Sequence, residues 1–174
     1  MKPALIITGK NVQDHEFIYP FYRLQESGFV VDVATDGMKE VIGQLGAARV
    51  SPSKDIDGLN PVDFQVLVLP GGAKCMEYIR QDRRIINFIS EFNEAGGIIG
   101  SICHAAQLLI SAKIVQGRKI AGYYSLKDDI ENAGAKYLDL PVVVDRNIIS
   151  TAHYKHMGPW MKTVCDAAIL SAES

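Results

Sequence analysis

The chain has 174 residues, 48% of them hydrophobic and 22% charged, with a formal net charge of −2 at pH 7. That length suits one domain, residues 1–174, burying roughly 70% of its unfolded surface. The near-neutral balance leaves no basic footprint for nucleic acid, and no apolar run approaches a signal sequence or a membrane span. Three scattered cysteines, Cys75, Cys103 and Cys165, form neither a disulfide framework nor a metal-ligand cluster, so a reducing, cytoplasmic setting without metal or cofactor is expected.

In chain order, Pro3 to Thr8 reads as a buried strand, followed by a loop at Gly9-Lys10-Asn11. Asp14 is the expected N-cap of a helix with Phe17, Ile18, Phe21 and Leu24 on one face, closed by Gly28 and kinked or restarted at Pro20. Phe29 to Ala34 is a second strand, giving a strand-helix-strand unit and hence a parallel sheet with covered faces. Residues 36–63 are irregular, with a short strand at Ala47 to Val50. Phe64 to Leu69 is a buried strand ending in Pro70-Gly71-Gly72, at the sheet edge where open α/β folds bind ligands. The same three residues also read as an ordinary loop.

Arg83 to Ala95 places Ile85, Ile86, Ile89 and Phe92 on one helical face and ends at Gly96-Gly97. Further on, Lys119 to Gly122 is a short strand, Lys127 to Asn132 a short helix, and Val142 to Asp145 pairs with Asn147 to Thr151 as a hairpin. Met157, Trp160, Met161, Val164, Cys165, Ala168 and Ile169 recur at helical spacing, which makes Cys165 a core residue.

The chain is organised around Gly97 to Gln107. Ile98, Ile99 and Ile102 read as a buried strand and Ala105 to Ile110 as the start of a helix, so Cys103 stands at the strand-to-helix corner. A nucleophile there projects from a sharp turn, and the helix N-terminus behind it favours a thiolate of lowered pKa. A buried, inert cysteine fits the same residues.

Several stretches together resemble the PfpI branch of the DJ-1/PfpI superfamily, with its class I glutamine amidotransferase-like fold. They are Gln13-Asp14-His15-Glu16-Phe17-Ile18-Tyr19-Pro20, Leu67 to Gly72, Ser101 to Ile110, Gly117-Arg118-Lys119 and Asp128 to Ala135. The resemblance implies a flavodoxin-like α/β sandwich, mostly parallel with helices on both faces, a nucleophile-elbow cysteine at Cys103, and a homodimer or higher homo-oligomer. It places the family's acidic partner of that cysteine at Glu16 and the catalytic histidine at His104. Backbone amides of His104 and Gly72, with Gly71 shaping the loop, are the candidate oxyanion site. Glu77 is the nearest match to the glutamate that protease-like members contribute across a subunit interface, at a spacing one residue longer than the family's. Tyr123 falls on a site-lining position.

Two stretches depart from the family pattern. Ala105-Ala106 replaces the usual Gly-Pro, and Thr151-Ala152-His153-Tyr154-Lys155-His156 replaces a Ser-Arg segment. His153 is thereby a candidate lining residue, and a surface loop is preferred over a metal site for His153 and His156. The expected function is a cysteine-nucleophile, hydrolase-like enzyme acting on small reactive carbonyls, in the manner of a glyoxalase or deglycase, or on peptides. The alternative is a redox-responsive or chaperone-like stress protein whose Cys103 is oxidised rather than turned over.

Overall fold

In the computed structural model, which describes residues 2–174, the chain opens with strand β1 (Ala4–Ile7), buried at every position. Helix α1 (Asp14–Glu26) and strand β2 (Val31–Thr35) follow. Three two-residue strands, β3 (Val41–Ile42), β4 (Arg49–Val50) and β5 (Lys54–Asp55), occupy the irregular stretch. Then come β6 (Val66–Leu69), α2 (Ala73–Ile79), α3 (Arg83–Glu94), β7 (Ile98–Ile102) and α4 (Ala106–Ser111). The remainder holds β8 (Lys119–Ile120), α5 (Lys127–Asn132), β9 (Lys136–Tyr137), β10 (Val143–Asp145), β11 (Ile148–Thr151) and α6 (Met157–Glu173).

Seven strands form one sheet in the order β10-β11-β7-β6-β1-β2-β5. Every pairing in it is parallel except the β10–β11 hairpin at one edge. The apolar runs of β1 and β6 and the largely apolar β7, which also buries Ser101, take its middle, as strands covered on both faces must. Helices lie on both faces, the flavodoxin-like arrangement. The β3–β4 and β8–β9 pairs are separate two-stranded sheets.

Helices α1 and α6 pack on each other, and α6 also covers β7 and β11. Gly100 permits this approach, since a Cβ there would meet Val164 at 3.1 Å and Trp160 at 3.2 Å. Trp160 is fully buried and its indole N–H donates to the Ile149 carbonyl at 3.0 Å, which ties α6 to β11.

Several expectations are corrected. Asp14 does not cap α1: Gln13 does, its side-chain oxygen accepting from the Glu16 N–H at 3.0 Å. The buried Asp14 carboxylate instead accepts from the N–H groups of Leu45 and Ala48, each at 2.7 Å, and pins the 43–48 loop over α1. Helix α1 runs through Pro20 without a break, because Pro20 is buried and packing outweighs the one missing hydrogen bond. The strand expected at 119–122 stops at Ile120 and pairs with β9 outside the main sheet.

Candidate active site

The carboxyl ends of β1, β6 and β7 converge on Cys103. The strand β7 ends at Ile102, and Cys103 adopts φ 60°, the left-handed region that a non-glycine residue enters only when the surroundings impose it. A single 3₁₀ turn (Cys103–Ala105) then leads into α4. This is the geometry of a nucleophile elbow. Ala105 and Ala106 are fully buried behind it, and Ala106 packs where a Cβ on Gly122 would have to go.

His104 turns back onto its neighbour: its Nδ1 lies 3.3 Å from Cys103 Sγ. The imidazole stacks on Tyr123 at 4.5 Å between ring centroids, and the Tyr123 N–H donates to the Cys103 carbonyl at 3.1 Å. Burial lowers the His104 pKa, so the ring is neutral at pH 7 and its free nitrogen can take a proton. The backbone N–H groups of His104 and Gly72 both face the sulfur. Gly72 holds this position with φ 109°, and a Cβ there would come within 2.8 Å of the Gln13 nitrogen.

Glu16, in the first turn of α1, is completely buried, and neither carboxyl oxygen has a hydrogen-bond partner of normal geometry among the described residues. Facing it are the Gly71 N–H and the Cys103 thiol. Burial pushes its pKa up to about 8, so the side chain is largely neutral at pH 7 and is a proton donor toward sulfur. Gly71 makes the approach possible, since a Cβ at that position would lie 2.5 Å from Glu16 Oε1.

Burial works against the lowered thiol pKa expected from the sequence. Burial pushes the Cys103 thiol up and a charged Glu16 adds to this, against the lowering by the His104 and Gly72 N–H groups. The reason is geometric: α4 begins three residues beyond the sulfur, behind the 3₁₀ turn, so desolvation outweighs the helix terminus. With Glu16 neutral, its repulsion is replaced by a hydrogen-bond donor.

The thiol opens into a cavity of about 360 Å³. Gly72, His104 and Tyr123 line it together with Gln13, His15 and Gln44. His153 and Tyr154 complete the rim, so His153 is brought to the site. Glu77 is not: it sits on the exposed face of α2, paired with Lys74 at 2.7 Å. Among the described residues no three His, Cys, Asp or Glu side chains cluster as metal ligands, and no helix is long and apolar enough to cross a membrane.

Gln13, His15, Gln44 and Tyr154 are lining residues that sequence reasoning did not single out. Gln13 and His15 lay inside a quoted motif, but only the three-dimensional meeting of α1 with the 43–48 and 153–156 segments turns them toward Cys103.

Known proteins were compared with this chain. The DJ-1/PfpI family model matches residues 2–167. A deglycase of Thermococcus kodakarensis is 36% identical over 159 residues, covering 91% of this chain and 95% of its own. The protein/nucleic acid deglycase 2 of Escherichia coli is 37% identical over 152 residues, covering 87% of each. Among solved structures, a two-domain protein from Anabaena variabilis with DJ-1/ThiJ/PfpI-like and ferritin-like domains superposes with a TM-score of 0.93 at 27% identity. That match covers 96% of this chain and 48% of the other, so this chain spans about half of the two-domain protein. With the elbow, the buried carboxyl group and the whole length accounted for, the chain belongs to the DJ-1/PfpI family.

Proposed function

We propose that this protein is a cysteine-nucleophile enzyme of the deglycase type, acting on reactive dicarbonyls such as methylglyoxal and on the adducts they form with amines. The observation that carries this reading is the surround of one sulfur: a neutral imidazole at 3.3 Å, a neutral buried carboxyl group and two backbone N–H groups. The family membership and the deglycase relatives support a hydrolase or deglycase type of activity.

In this account His104 takes the thiol proton as sulfur adds to the aldehyde carbon, and the resulting oxyanion forms beside the His104 and Gly72 N–H groups. The product is a thiohemiacetal. Moving its C1 proton to C2, with Glu16 and His104 exchanging protons, converts it to the thioester of a 2-hydroxy acid. Water then releases lactate and returns the thiol. An amine adduct joins the same route by losing its amine to the attacking sulfur.

Peptide hydrolysis asks more of the site, because an amide is a poorer electrophile and Glu77 lies away from Cys103 in its own chain. Glu77 would reach a reacting group only across the subunit interface of a homo-oligomer. The redox reading draws on the same neutral carboxyl group, which would donate a hydrogen bond to a sulfinate on Cys103. Methylglyoxal and a fluorogenic peptide presented to the same preparation separate these accounts. Lactate formation without peptide cleavage is the expected result, and peptide cleavage without lactate overturns the proposal.

A further inference from the structure

The outer half of the cavity carries two imidazoles whose tautomers follow from the hydrogen bonds of their neighbours. The Glu16 backbone N–H can only donate, so the Gln13 atom facing it at 3.0 Å is Oε1. That leaves Gln13 Nε2 facing His15 Nδ1 at 2.9 Å, and an amide nitrogen can only donate. His15 Nδ1 is therefore the acceptor, and the ring proton sits on Nε2. His153 arrives at the same state independently: its Nδ1 accepts from the Lys155 backbone N–H at 3.1 Å.

Both rings pack against Tyr154, His15 at 4.9 Å and His153 at 4.0 Å between centroids. No hydrogen bond among the described residues engages Nε2 of either ring. The wall between them and Cys103 contains no Asp or Glu. Lys155, over the Tyr124 ring at 5.5 Å, adds positive charge next to His153, with Asp139 near Lys155 as the opposing carboxylate. Two free N–H donors in an acid-free, positively flanked pocket are complementary to an acceptor-rich anion.

Size points the same way. At roughly 30 Å³ for each heavy atom, a five-heavy-atom dicarbonyl takes about 150 Å³. Less than half of the cavity of about 360 Å³ is then filled.

We propose that His15, oriented by Gln13, and His153 form a subsite for the carboxylate of a longer substrate, an α-oxoaldehyde bearing a carboxylate tail whose aldehyde carbon reaches Cys103. This rests on the carbonyl-enzyme reading above. A suitable probe is 4,5-dioxopentanoate, which with one water gives 2-hydroxyglutarate by the route that takes methylglyoxal to lactate.

The experiment has two arms. In the kinetic arm, kcat/KM for 4,5-dioxopentanoate is expected to exceed that for methylglyoxal by about tenfold or more, and His15→Phe and His153→Phe, which keep the stack on Tyr154, each to lower that ratio severalfold. In the binding arm, long-range ¹H–¹⁵N NMR of the resting protein is expected to show Nε2-protonated rings for His15 and His153, with both resonances moving on addition of glutarate. Gln13→Glu keeps the helix cap but removes the donor to His15, and is expected to change the His15 tautomer alone. Equal kcat/KM for the two aldehydes, a ratio unmoved by both Phe variants, or rings that ignore glutarate would overturn the proposal. If neither aldehyde is turned over, the carbonyl-enzyme reading fails, and the glutarate titration still decides the subsite.

Discussion

The Glu16 carboxyl group and the Cys103 thiol meet in a buried corner that only a glycine can roof. A Cβ on Gly71 would stand 2.5 Å from Glu16 Oε1 and 3.0 Å from Cys103 Cβ. Gly71→Ala must therefore push one of the two groups away. We expect thermal or urea unfolding to report a loss of about 1–3 kcal/mol from overpacking, and carbonyl turnover to fall by roughly 10²-fold because the acid and the nucleophile lose register.

The raised pKa of Glu16 ties stability to pH with a definite sign. Burial lifts the carboxyl from 4.5 to about 8, so the folded protein holds a proton that the unfolded chain releases. The contribution is complete below pH 4.5 and is lost as pH rises through about 8. Integrated over that window it amounts to roughly 3–5 kcal/mol. Denaturation midpoints should fall between pH 7 and 9 in the wild type and fall less over that range in Glu16→Gln. That variant also lacks an acidic proton on the side chain, and its kcat is expected to drop by roughly 10²–10⁴-fold.

Asp14 gives the opposite slope. Burial raises its carboxyl, but the N–H groups of Ala48, Leu45 and Ala47 outweigh this and hold it below its ordinary value. Its contribution is present above pH 3.8 and is lost as pH falls through the lower folded value. Asp14→Ala frees the 43–48 loop, which brings Gln44 to the cavity wall. A stability loss of about 1–3 kcal/mol, together with a raised KM, is the expected outcome in urea titrations and steady-state kinetics.

Trp160 offers a test remote from the chemistry. Its indole fills the space beside Gly100 and donates to the Ile149 carbonyl. Trp160→Phe keeps most of the ring but loses this hydrogen bond, at about 0.5–1.5 kcal/mol. Trp160→Ala opens a cavity as well, at about 3–5 kcal/mol. Urea midpoints should rank the variants in that order.

Much of the fold is written in the apolar pattern. The runs at Ala4–Ile7, Val66–Leu69 and Ile98–Ile102 are long enough to identify the middle of a parallel sheet, and the Met157–Ile169 stripe identifies α6, although Ile169 at its end is exposed, because full burial leaves its mark on sequence. The polar edges leave none: β5 is Lys54–Asp55 and β9 is Lys136–Tyr137, each set by its neighbour. Helix α2 is only seven residues long and starts straight after two glycines, with too few turns to show a period. At the site, Cys103, Glu16 and His104 were legible through the family motifs. The pKa of the thiol was not, because burial of the sulfur is a tertiary fact. The role of His15 is hidden in the sequence for the same reason, since its place depends on Tyr154 packing against it from the far end of the chain.

The most direct test of the central claim is lactate formation from methylglyoxal by the wild type and by Cys103→Ser, measured at matched folded concentration. The account requires lactate to appear in step with methylglyoxal loss in the wild type and to be absent in Cys103→Ser. Equal rates in the two proteins, or no lactate from a wild type that is fully folded, would contradict it.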